Sequence, residues 1–208
     1  MMLKRAVYLL AFIGISLSAE AQINIYLGGN LQGNYSWIRG EEPTYSPGFG
    51  AGFTFVYWEY EYWFIKTGLE YYNKSSSVLD YPDIYDVPVV HPDDKVRISY
   101  SEHAVGLPLA FYFRPYESGA NAILLSGTLE MIVVASMKAD TEEFGEMVLK
   151  GSSQRNWTKS NFGLGVGYQR QIDRHAFINI VASYNMDIRA TPSYNSINLT
   201  LEYIFGAY

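Results

Sequence analysis

Residues 195–208 read "NSINLTLEYIFGAY", and their alternation decides the fold. Ile197, Leu199, Leu201, Tyr203 and Phe205 fall on one parity; Ser196, Asn198, Thr200 and Glu202 fall on the other. Successive side chains of a strand point to opposite faces, so this stretch is a strand with one apolar and one polar face. A soluble half-buried strand has that pattern, and so does a strand between lipid and water. Phe205 is the last aromatic in phase with the apolar face, and Tyr208 is out of phase. The end is therefore either an overhang of residues 206–208 or a bulge at Gly206.

The same alternation recurs upstream and gives eight candidate strands in all. Ile23, Ile25 and Leu27 oppose Asn24, Tyr26 and Gly28 over about 23–31. Phe49, Ala51, Phe53, Phe55 and Tyr57 oppose Gly50, Gly52 and Thr54; Trp63, Ile65, Leu69 and Tyr71 oppose Lys66, Gly68 and Glu70. A fourth strand over about 96–113 sets Val105, Leu107, Leu109, Phe111 and Phe113 against small or polar residues. Its upper end puts Val96, Ile98 and Tyr100 on the other parity, which predicts a β-bulge near Glu102 to Ala104. A fifth over 121–137, a sixth in "NFGLGVGYQ" (161–169), a seventh from Ile178 to Asn185 and the opening stretch complete the set.

The connections sort by length. Those after strands two, four and six are short, whereas 33–47, 73–95 and 138–156 are long and polar; the connection after strand seven, "RATPSY" (189–194), is shorter. This is the arrangement of an eight-stranded antiparallel up-and-down transmembrane β-barrel with periplasmic termini, short periplasmic turns and longer extracellular loops. A soluble lipocalin-type barrel shares the topology. Face chemistry separates the two. One parity is almost wholly apolar, with aromatics near strand ends at Tyr57, Trp63, Tyr71, Phe113, Tyr168, Tyr203 and Phe205. The other is small and polar with mid-strand charges at Lys66, Glu70, Glu102, Glu130 and Glu202, which form a candidate lumen charge network. A soluble core would have to bury those charges, whereas a narrow wet lumen accommodates them.

The N-terminal segment agrees with export. Lys4 and Arg5 precede an apolar run and Ala19-Glu20-Ala21, the order of a cleavable signal peptide over residues 1–21. The expected mature barrel domain spans 22–208. Removing Lys4, Arg5 and Glu20 takes the formal charge from −6 to −7, which argues against nucleic acid as a partner. The chain has no cysteine, so disulfide and thiol chemistry are absent. It carries 19 Tyr and 11 Phe, a load suited to interfacial girdles.

Several segments resemble the small outer-membrane β-barrel family of Bacteroidota often labelled PorT-like. They are "FIKTGLEYYNKSSS" (64–77), "HAVGLPLAFYFRP" (103–115), "NFGLGVGYQRQI" (161–172) and "INLTLEYIFG" (197–206). The resemblance implies an outer-membrane location and a Gram-negative source. Its motifs are architectural, and no functional residue carries over from it.

Ser101 and His103 lie two apart and would share a strand face, the one weak catalytic candidate, resembling a lipid A deacylase pair in reversed order. His91, His103 and His175 are scattered without ligand spacing, and the aspartates of 73–95 lack a calcium-loop order, so no metal or cofactor is expected. The expectation is a non-enzymatic structural or interaction barrel whose loops carry Tyr35, Trp37, Tyr45, Tyr81, Tyr85 and Trp157. Its partners would be outer-membrane lipid, the barrel-assembly machinery during insertion, and envelope proteins. A secretion-complex component is the alternative, followed by a narrow channel or a lipid-active enzyme.

Overall fold

The computed structural model describes residues 24–60, 62–80, 95–141, 145–147, 160–188 and 193–206. The expected signal peptide, His91, Tyr81, Tyr85, Trp157 and the last two residues lie outside them. Nine strands run in chain order: β1 (Asn24–Ile38), β2 (Ser46–Tyr60), β3 (Trp63–Asp80), β4 (Val96–Ser118), β5 (Asn121–Thr141), β6 (Gly145–Met147), β7 (Ser160–Asp173), β8 (Ala176–Ile188) and β9 (Tyr194–Gly206). All eight long strands pair antiparallel with their neighbours, and β1 pairs with β9, so the sheet closes on itself. Closure satisfies every ladder and removes the edges a lone sheet would expose. The short β6 stands outside the ring and pairs with β5 beyond Met137.

At one end the strands follow one another closely, β2 ending at Tyr60 and β3 starting at Trp63, with tight turns at 119–120 and 174–175. Gly119 has φ +59°, which a two-residue hairpin turn of this kind requires. In each of these hairpins the first strand carries one extra residue just before the turn. In β4 the extra residue falls at Arg114–Pro115, where proline has no N–H to give the ladder. β1 starts and β9 ends at this same end, where Tyr26 pairs with Gly206. The β1–β9 register is unbroken through Gly206, the last described residue, and the closing aromatic Tyr208 lies outside the described residues.

The opposite end departs from expectation. The segments 33–47 and 73–95 were expected to be loops. Instead β1 continues to Ile38, β2 starts at Ser46, and Ser75 to Asp80 pair with Val96 to Ser101. β5 likewise runs to Thr141. The expected bulge in β4 is also corrected, because the β3–β4 register is unshifted from Trp63↔Phe113 to Asp80↔Val96. Inward and outward positions alternate through Glu102 to Ala104 without a break. Val96, Ile98 and Tyr100 are apolar on the inward parity because there the barrel is filled with a hydrophobic core. Ile38, Val78, Ile98, Tyr100, Ala139 and Tyr194 form it, with Val96 and Met137 packed against them.

A register shift does occur beside this region, but the extra residue belongs to β5. Val105 pairs with Val134 while Gly106 pairs with Ile132, leaving Val133 over. One extra residue exchanges the two faces of everything beyond it. Below the shift Ile123, Leu125, Leu129 and Met131 face out; above it Ser136, Lys138 and Asp140 do.

The barrel therefore has two zones. From the turns to about Tyr71, Val105 and Met131, the outside is an apolar band: Phe53, Leu69, Leu109, Leu164, Leu199 and Leu201 are all largely exposed. Beyond it rises a crown, tallest on β3–β5, with Ser99, His103, Ser136, Lys138 and Asp140 outside and the apolar core inside. Aromatic rings mark the rims of the band. Trp63 stacks on Phe111 and Tyr203 lies beside Phe205 at the turn end. Tyr45 contacts Tyr35 and Trp37, and Trp37 contacts Tyr184, at the loop end.

Candidate functional site

The inward face of β3, read from the turns outward, runs Phe64, Lys66, Gly68, Glu70, Tyr72, Lys74, Ser76 and Val78. It is apolar at both ends and charged between them, and the whole lumen follows this pattern. At the turn end Val56, Phe64, Ala110, Tyr112, Leu124, Phe177 and Ile204 close the interior, with Phe64 and Tyr112 stacked at 4.7 Å. At the loop end the crown core closes it. Between the two plugs lies a polar cavity of about 60 Å³, with space for no more than a few waters.

The network around Lys66 follows from register. Asn30, Glu202 and Asn179 sit side by side on β1, β9 and β8, all facing in. Asn179 Nδ2 donates to Glu202 Oε2 (3.1 Å) and Gln169 Nε2 donates to Asn179 Oδ1 (3.0 Å). Lys66 Nζ, reaching in from β3, forms a close ion pair with Glu202 and a second with Glu70 at 3.4 Å. Asn30 Nδ2 donates to the same Glu70 oxygen at 2.8 Å. Gly52 lies between them on β2, and a side chain there would run into Glu70. Lys66 also stands 5.7 Å from the Tyr112 ring centroid. Nearly full burial makes this network costly to break but not a source of large net stability.

A second group includes residues that the alternation did not single out. Lys74 pairs with Asp187 at 3.4 Å and lies over the Tyr72 ring at 4.8 Å. Asp187 Oδ2 also accepts from the Tyr194 backbone N–H. Glu102, fully buried, sits across from Lys74 in the β3–β4 register. Lys74 was hidden from sequence reading because it lay in an expected loop; the inward parity of Lys66 and Glu70, continued two steps, reaches it. Arg114, a further buried cation, pairs with Glu117 at 3.0 Å near the turn end.

Glu130 forms a third group. Its Oε2 accepts from Asn161 Nδ2 at 2.6 Å, and Asn161 Nδ2 also donates to the Tyr72 hydroxyl at 3.0 Å. The structure thus joins Lys66, Glu70 and Glu202 directly, and holds Glu102 and Glu130 in the same lumen with other partners.

Ser101 and His103 both face outward on the crown wall, with Glu102 between them pointing inward. Cα atoms two apart on a strand are about 6–7 Å from each other. His103 Nδ1 is engaged instead by the Tyr71 hydroxyl at 2.8 Å, and the two rings stack. Across the register their neighbours are Asn73, Ser75, Ser136 and Lys138, with no carboxylate. Among the described residues no cluster of three or more His, Cys, Asp or Glu could hold a metal ion.

Closure, parity and banding together define an all-β, eight-stranded antiparallel barrel of the outer-membrane type. No family profile and no curated protein sequence matches the chain. Solved structures do: Neisserial surface protein A aligns over 88% of this chain and 97% of its own, at 11% identity and a TM-score of 0.52. Ail, the attachment invasion locus protein of Yersinia pestis, aligns over 88% and 99% at 13% identity and a TM-score of 0.41. The outer membrane protein OprG of Pseudomonas aeruginosa aligns over 88% and 93% at 12% identity and a TM-score of 0.40. At these identities the likeness is one of fold.

Proposed function

We propose that the protein sits in a bacterial outer membrane as a non-enzymatic, non-conducting barrel that presents its crown as a structural or interaction surface. The observation that carries this reading is the filled lumen: apolar clusters occupy both ends of it, and the polar cavity between them, about 60 Å³, has room for only a few waters. With the lumen filled, the outer surface is what this reading has the barrel act through. The turns and both chain ends lie on the periplasmic side, and the crown stands outside, following the short-turn, long-loop rule for such barrels. Loop-end Tyr35 and Tyr45 are exposed aromatics of the kind enriched at interfaces, with Trp37 half-buried beside Tyr45, and all three also suit seating at the headgroup level. The partners in keeping with this are outer-membrane lipid, the barrel-assembly machinery during insertion, and envelope or secretion-complex proteins.

Two measurements test the proposal. In planar bilayers the purified barrel should give no stable conductance; a reproducible open channel would contradict it. The natural absence of cysteine allows clean single-site labelling. Ser99→Cys should react with a membrane-impermeant maleimide on intact cells, and Ala120→Cys only after the outer membrane is permeabilised. The opposite pattern would reverse the orientation.

A further inference from the structure

The lumen chamber is not balanced in charge. Among the described residues, Glu70 and Glu130 line it together with Lys66 and Lys74, and the buried acids Glu102, Asp187 and Glu202 lie behind these two lysines as their partners or register neighbours. Lys66 is shared by Glu70 and Glu202, and Lys74 pairs with Asp187 and stands across from Glu102. Glu130 is the fifth acid. It is more than nine-tenths buried, lines the cavity, and its Oε1 has no hydrogen-bond partner. Both donor hydrogens of Asn161 Nδ2 are committed, to Glu130 and to Tyr72, which fixes the amide orientation and leaves Asn161 Oδ1 as an unpartnered acceptor. Asn198 Oδ1, on another wall of the same cavity, is a third. Three buried oxygens without donors, one of them on a carboxylate, call for a positive or strongly donating guest.

We propose that the chamber is a binding site for a partly hydrated alkali cation, held by Glu130 with the amide oxygens of Asn161 and Asn198. One carboxylate with neutral oxygens suits a monovalent ion, whereas divalent calcium favours several carboxylates, and among the described residues no three acids are placed to share one ion. The cavity volume fits an ion with a few waters. The plugs at both ends make the ion an internal part of the folded barrel, captured during folding and slow to leave. It would stabilise the folded state by mass action, since the unfolded chain has no such site. This goes beyond the crown role and does not depend on it.

Rubidium is the probe. The barrel is refolded in rubidium chloride, desalted rapidly into N-methylglucamine chloride, and its retained metal measured by mass spectrometry. Wild type should keep a stoichiometric amount of rubidium. Glu130→Gln should fall to background, while Asp140→Asn, on the exposed crown wall, should retain it. Wild-type protein that retains none, or equal retention in Glu130→Gln, overturns the site. Should Glu130→Gln not fold, anomalous scattering from wild-type crystals grown in rubidium decides: a peak beside Glu130 and Asn161 supports the site, and none there rejects it.

Discussion

The band and the crown are built from the same strands with opposite face chemistry. In the band, β4 turns Leu109, Phe111 and Phe113 outward and Ala110 and Tyr112 inward. In the crown the same strand, with the same unbroken register to β3, turns Ser99 and His103 outward and Ile98 and Tyr100 inward. Each zone obeys its solvent. Where the outside is hydrocarbon the apolar side chains face it, and where the outside is water they withdraw into a core. The lower zone is a membrane barrel and the upper zone packs like a soluble one. The same side chains fill the lumen at its upper end.

The largest effect should come from the interior of the band. Lys66→Met strands Glu202 in a buried site and should cost about 3–5 kcal/mol in equilibrium unfolding from bilayers. Adding Glu202→Leu to it should recover most of that loss; additive damage would mean the pair is not coupled. In the crown interior Ile98→Ala should cost about 2–5 kcal/mol, as in any close-packed core. A negligible cost would show that the crown is not a packed core and would erase the contrast.

The outer faces should respond oppositely to charge. Leu201→Arg, mid-band on β9, should cost about 2–4 kcal/mol. Ser99→Arg on the crown should stay within about 0.5 kcal/mol. Equal penalties would place both positions in one environment. The smallest effect belongs to Ser101→Ala, which should leave both stability and the lipid A of the host unchanged. Altered lipid A acylation would reopen the catalytic reading.

The contrast also explains what the sequence could and could not convey. Alternation marks two faces but does not say which is inside, so apolar residues in phase with lipid and apolar residues in phase with a core look alike. That is why Val96, Ile98 and Tyr100, out of step with Val105 to Phe113, read as a bulge in β4. The chain instead passes from one solvent to the other without a slip. The true extra residue, Val133, lies within an apolar run where neither face stands out. The crown strands read as loops because Asn73 to Ser77 are polar throughout and Lys138 to Asp140 carry two charges in three residues. Their inward residues Val78 and Ala139 are too sparse to show a period. Lumen charges inside clear strands, such as Glu202 and Lys66, were legible; Lys74 and Asp187 sit where strand and loop could not be told apart.

The most direct test places spin labels at two outward positions of β4, Leu109→Cys in the band and Ser99→Cys in the crown, in reconstituted bilayers. Collision with dissolved oxygen reports lipid, and collision with a water-soluble nickel complex reports solvent. The label at 109 should favour oxygen and the label at 99 nickel, although both lie on one face of one continuous strand. A lipid signal at 99, or a solvent signal at 109, would contradict the change of environment on which the account rests.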